Sequence, residues 1–175
     1  MSFVVRRARP SDAAALPAIE RSAAELFRLD PSLAWLAEAP VPDAEQHLQA
    51  ICSAWVWVAE LTDQQLGGFL RAVEIDNQLH IEELSVSQHF QGQGMGRKLL
   101  LMAIEHAARQ QLHAVTLTTF SDLPWNAPFY QRMGFSRLTP QATPAHLVDA
   151  LNSEAACGLP IERRCAMHLQ FKPQP

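Results

Sequence analysis

The chain has 175 residues, 48% of them hydrophobic and 18% charged, with a formal net charge of −4. That length suits one domain with a substantial core, and the composition is that of a soluble globular protein. The acidic balance argues against a dedicated nucleic-acid binder, which carries a basic stripe; no apolar run is long enough to span a membrane, and the opening apolar stretch is too short for a secretory signal.

Phe3 to Arg7 predicts a first strand, and Pro10-Ser11-Asp12 introduces a helix capped by Ser11 or Asp12, with Ala15, Leu16, Ile19, Ala23, Leu26 and Phe27 at helical spacing. Residues 29–42 hold three prolines and read as a loop with a short helical turn around Leu33, Trp35 and Leu36. Helical spacing resumes over 43–53 through Leu48 and Ile51. Three strands follow, at 55–60, 66–75 and 79–86, with turns at Gln64-Gln65 and Asp76-Asn77, and they predict an antiparallel meander. Residues 97–111 predict a helix supported by a Glu105–Arg109 pair, and Ala114 to Phe120 a strand parallel to 79–86. Residues 125–133 predict a short helix with Asn126 as N-cap, Pro128 in the first turn and Gly134 just past the end. Residues 135–138 and 164–171 predict a closing antiparallel pair, with a helical excursion near 145–155 between them. The fold class expected is α+β, in one domain over 1–175.

Cys52, Cys157 and Cys165 are odd in number and lack Cys-x-x-Cys spacing, so reduced thiols in a cytoplasmic protein are expected. The seven histidines form no ligand constellation, and no metal site is expected.

The most informative segment is Gln91-Gly92-Gln93-Gly94-Met95-Gly96-Arg97-Lys98, between a strand end at Leu84-Ser85-Val86 and a helix. Glycines let backbone N–H groups approach a ligand closely. The first N–H groups of a helix lack partners within it, and together these features make an anion site suited to a pyrophosphate. Arg97 and Lys98 lie where the helix dipole disfavours cations, a sign that bound phosphate would reverse. The spacing fits neither a Walker A loop, which needs Gly-Lys-Ser/Thr, nor the G-x-G-x-x-G dinucleotide fingerprint. Along 79–86 the apolar residues change phase, at 79 and 81 and then 84 and 86. A β-bulge at Glu82-Glu83 accounts for the slip better than a wholly buried strand, because two adjacent glutamates resist burial.

The glycine loop resembles the Q/R-x-x-G-x-G/A acyl-coenzyme A loop of the GNAT acetyltransferase superfamily. Trp125-Asn126-Ala127-Pro128-Phe129-Tyr130-Gln131-Arg132-Met133-Gly134-Phe135 is similar to that family's Asn-x-x-x-Tyr segment before a Gly-Phe pair. The resemblance follows the element order from the first strand to Phe135. It implies a mixed, mostly antiparallel sheet, splayed at the bulge and flanked by helices. It also implies acetyl-CoA as acyl donor, with the pantetheine arm on the backbone of Leu84, Ser85 and Val86. Pyrophosphate would meet Gln91 through Lys98, Asn126 would bond the donor, and Tyr130 would lie near its sulfur.

Transfer of an acetyl group to an amine requires that the acceptor lose a proton, usually to a carboxylate. Glu82 is the first expectation for that role and Glu83 the alternative, while Tyr130 suits protonation of the leaving thiolate. Glu82, Glu83 and Asp122 suggest a small cationic amine, and Trp35 and Trp125 are either aromatic walls for it or packed core. A homodimer is among the assemblies the resemblance allows; nucleic-acid and membrane partners are not expected. The alternatives are a non-catalytic acyl-CoA sensor, an acetyltransferase of protein lysines or N-termini, and a module binding another nucleotide.

Overall fold

In the computed structural model, which describes residues 2–172, strand β1 (Phe3–Arg7) runs through a 3-10 turn at Pro10–Ala15 into helix α1 (Leu16–Ala24). The start of this segment differs from expectation: Arg9 occupies the cap position and Asp12 lies three residues further on. There the Asp12 carboxylate accepts the Arg9 N–H at 2.6 Å and the Arg6 guanidinium at 2.7 Å. Arg6 on the preceding strand fixes the carboxylate, which also sits favourably in the first turn. The expected turn in the following loop is Ala34–Glu38, and helix α2 (Ala44–Ser53) begins at a reciprocal cap between Asp43 and Gln46, each bond 2.9 Å. On α2 the buried face carries His47 and Ile51, whereas Leu48 is 38% exposed. Ile51 faces inward as expected, and His47 takes the inward place expected of Leu48.

Strands β2 (Trp55–Leu61), β3 (Leu66–Ile75) and β4 (Gln78–Val86) follow. Asp76 and Asn77 both take positive φ, 50° and 61°, as a tight two-residue hairpin requires. Then come α3 (Met95–Arg109), β5 (Ala114–Phe120), α4 (Ala127–Arg132), β6 (Ser136–Arg137), α5 (Ala145–Ala156) and β7 (Arg164–Gln170). Helix α3 starts two residues earlier than expected because Gly96 is accommodated in its first turn. The strands hydrogen-bond in the order β1-β2-β3-β4-β5-β7-β6. The sheet is mostly antiparallel, with β4 and β5 parallel from Gln78↔Ala114 to His80↔Thr116. β6 and β7 pair as expected, but β7 lies between β6 and β5, matched to β5 along all seven residues. Along β4, Leu79, His80, Ile81 and Ser85 are buried and Glu82 is exposed. Leu84 and Val86, expected inside, are only half-buried; Ser85 takes the inward place.

Two compact units divide the chain. The first comprises the chain up to Ala72 together with Glu83–Ala103. Its core packs Ala13, Leu16 and Ile19 with Ile51 of α2 against Val56, Val58 and Phe69 of the strands. The second comprises Val73–Glu82 and the chain from Ile104. In it, α5 meets the strands through polar bonds: Glu154 accepts from Thr118 and, at 2.9 Å, from Arg164.

A chain of three groups also joins α5 to the strands, with His80 and Thr116 buried and His146 half-buried. The Thr116 hydroxyl lies 3.2 Å from His80 Nδ1 and 3.2 Å from His146 Nε2. The hydroxyl, with one proton and two lone pairs, can serve both rings in their neutral forms. Burial, first, and the proximity of His146 hold His80 below its ordinary value. Burial likewise lowers His146, against Asp76 and Asp149. Because the folded rings resist protonation, the unfolded chain binds more protons as the pH falls through its own histidine value of about 6.5. The stability these groups contribute is full above that value and declines below it. Thermal unfolding at pH 7.5 and 5.5 checks this: the drop in Tm should be smaller in His80→Gln than in the wild type.

Candidate active site

Within the first unit, the end of β4 leads into a turn at Gln88–Phe90 and then the glycine loop. The Gln91 side chain donates to the Val86 carbonyl at 3.0 Å and the Gln93 side chain to the His89 carbonyl at 3.1 Å. Both glutamines thus brace the loop from within. Ser87 N–H bonds Gly67 of β3 at 2.9 Å, and Ser22 of α1 holds the Ser87 hydroxyl and the Gln88 N–H, each at 3.0 Å. Met95 is buried. A Cβ on Gly67 would lie 2.7 Å from its methyl carbon, so β3 carries glycine where this side chain packs.

Gly92 and Gly94 have φ of +74° and +81°, and a Cβ on either would meet nothing within 4 Å. These two positions need glycine for their backbone conformation, and the space over them is open. They precede a 15-residue helix whose first N–H groups have no partners inside it. Arg97 and Lys98 are exposed, and Lys98 Nζ rests 4.4 Å from the centroid of the Phe3 ring. A cradle of open glycines at a long helix's positive end fits a pyrophosphate.

The carboxylates differ. Glu82 is exposed, whereas Glu83 is half-buried and accepts the Ser85 hydroxyl at 2.6 Å. On the same unit, Glu20 of α1 is pushed up to about 7 by burial and by the charge of Glu83, against the pull of Arg71. His47, 1% exposed, brings Nε2 to 3.3 Å from Glu20 Oε2. The two atoms are close but not aligned as a hydrogen bond, and neither has another such partner among the described residues. Burial, then Arg71, lowers His47, so the ring is neutral at pH 7. Sequence reasoning missed Glu20 and His47; the spacing of His47 and Ile51 on one helix face was the available signal.

In the second unit, Asn126 stands at the start of α4, but its side chain does not cap the helix. Its backbone carbonyl accepts from Phe129 and Tyr130, at 2.8 and 3.1 Å. The side-chain oxygen is buried without a hydrogen-bond partner among the described residues. Such an acceptor suits an amide N–H of an incoming group. Tyr130 is buried, with its ring edge-on to Phe129 and Phe135 at 5.1 and 5.8 Å. Asp122 is exposed and paired with Arg163 at 2.8 Å, and Trp35 is 45% exposed rather than core. No described helix is long and apolar enough to cross a membrane, and no group of three metal-ligating side chains occurs among the described residues.

A family model for the acetyltransferase (GNAT) family matches residues 21–135. The chain belongs to that family. It is an acyltransferase whose acyl donor is acetyl-CoA, and its sheet has the GNAT arrangement. Solved GNAT structures share the fold at low identity. The PaiA N-acetyltransferase of Thermoplasma acidophilum, crystallised with coenzyme A, is 17% identical, with a TM-score of 0.70 over 98% of this chain and 100% of that one. A GNAT acetyltransferase of Staphylococcus aureus is 17% identical, with a TM-score of 0.71 over 98% and 100%. The ribosomal-protein-S18-alanine N-acetyltransferase of Escherichia coli is 13% identical, with a TM-score of 0.69 over 99% and 97%.

Proposed function

We propose that this GNAT protein acetylates a primary amine on a small cationic molecule, by direct attack of the amine on the thioester. The observation that carries this reading is the half-buried Glu83 carboxylate, fixed by Ser85 on the strand that leads into the glycine loop. A carboxylate held there attracts an ammonium group and disfavours an anionic acceptor. Glu83, rather than the exposed Glu82, is the member of the predicted pair that we assign to the acceptor.

Acetyl-CoA supplies an activated acyl carbon with a thiolate as leaving group. We assign its pyrophosphate to the N–H groups of Gly92 to Arg97 and the exposed side chains of Arg97 and Lys98, its pantetheine arm to the backbone of Leu84, Ser85 and Val86, and one of its amides to the Asn126 oxygen. Tyr130 holds the proton destined for the leaving sulfur. The Val86 N–H is assigned to polarise the thioester carbonyl. Trp35, being exposed, is available as an aromatic wall for a cation.

The test is release of CoA thiol from acetyl-CoA across a panel of amines. Cationic diamines and basic amino-acid derivatives should outperform neutral amines of similar size, with the preference shrinking as salt screens the charges. Equal rates on neutral acceptors at all salt concentrations would overturn the cationic acceptor. Turnover only with peptides or proteins would move the assignment to a protein acceptor, and binding without turnover to a sensor.

A further inference from the structure

The acceptor reading leaves one buried pair unused. Glu20 lies on α1, two residues before Ser22, whose hydroxyl bonds the Ser87 side chain and the Gln88 backbone at the entrance to the glycine loop. The same helix therefore carries both a support of the donor loop and a carboxylate under the influence of Glu83. Glu20 is not sealed away, since 15% of its side chain reaches solvent. Behind it, His47 is wedged edge-on against Phe69, with ring centroids 5.3 Å apart, and its Nε2 lies 3.3 Å from Glu20 Oε2. Neither Glu20 Oε2 nor His47 Nε2 completes a hydrogen bond among the described residues. Buried acceptors are rarely left so, and a carboxylate short of donors is suited to taking up a proton.

We propose that Glu20 is a second carboxylate of the acceptor site, which takes the proton of the incoming ammonium while Glu83 binds its charge and His47 holds the Glu20 carboxyl in place. This rests on the amine-acceptor reading above. An ammonium group offers several N–H donors, enough for Glu20 and Glu83 together. Of the two protons it must lose, the first passes to Glu20 and leaves to water at its exposed edge. The second is released as the new C–N bond forms and the C–S bond breaks, and it replaces the proton that Tyr130 gives to sulfur. One acetamide, one thiol and one free proton result. The groups facing Glu20 explain its fitness as a base. Burial and Glu83 disfavour its charge, Arg71 favours it, and the net effect is a carboxylate more basic than usual. Asp43 acts on His47 without reversing its neutrality.

The experiment uses the full chain, acetyl-CoA and 1,4-diaminobutane as probe, with thiol release followed from pH 5 to 9 and diamine binding by calorimetry. In the wild type, kcat/KM should fall on the acid side with a midpoint near neutrality. Glu20→Gln, close in shape, should lower kcat about 100-fold or more, in the range of a general base, with acetyl-CoA affinity kept. His47→Gln should retain more activity and move the acid midpoint down, because an amide N–H donated to the carboxylate favours its charged form. Should Glu20→Gln fail to fold, Glu20→Asp carries the test through a displaced acid limb. Wild-type kcat and pH profile in the Glu20 variants, with the diamine acetylated, would overturn the role of Glu20 alone. A wild type that neither binds nor acetylates the diamine would overturn the acceptor reading and this inference with it.

Discussion

Tyr130→Phe should lower kcat by about 10²–10⁴-fold, the range for a positioned general acid. The ring is held edge-on by Phe129 and Phe135, and phenylalanine keeps that packing. Loss of the hydroxyl should therefore leave Tm nearly unchanged, within the roughly 1 kcal/mol that a typical hydrogen bond contributes. The proton on the leaving sulfur matters in the transition state more than in the bound donor, so acetyl-CoA affinity should hold. Turnover of the purified variant beside its CoA dissociation constant decides the matter. Wild-type turnover would make Tyr130 a packing residue, and weaker CoA binding with kcat preserved would assign it to the donor instead.

Gly94→Val should weaken CoA binding by about 100-fold. Gly94 has φ +81°, which a β-branched residue resists, and the space over it is open to the ligand. A new side chain there both shifts the loop and occupies the approach to its N–H groups. Loss of two hydrogen bonds to a charged phosphate, at about 1.5 kcal/mol each, corresponds to that factor. The braces from Gln91 and Gln93 and the buried Met95 should preserve the rest of the unit, which circular dichroism and Tm will show. Unchanged CoA affinity in a folded variant would remove the loop from the donor site.

The parts of this site legible in the sequence are those whose chemistry is local. Gly92 and Gly94 announce a positive-φ turn before a helix, and the structure has it. Asn126 was legible as the N-cap of a short helix and stands there, but its side chain makes no capping bond, and its oxygen is left unpartnered among the described residues. Ser85 was read for its backbone alone, while its hydroxyl orients Glu83. Glu20 and His47 acquire meaning only when two helices separated by a proline-containing loop pack on the same strands, which no local pattern encodes. The same holds for β7, whose place between β5 and β6 depends on pairing between segments far apart in the chain. The pairing of Asp122 with Arg163, 41 residues further along the chain, was likewise not legible locally.

That placement of β7 bears on how the protein is made. During synthesis β5 emerges with one edge able to meet β4, but its other neighbour leaves the ribosome much later. Until Arg164–Gln170 arrive, the edge from Ala114 to Phe120 stays unpaired, a seven-residue stretch of mainly apolar and threonine side chains. Exposed edges of this kind recruit strands from other chains, and late, long-range pairing is slow. Damage to β7, even far from the glycine loop, therefore threatens yield and solubility before it touches chemistry.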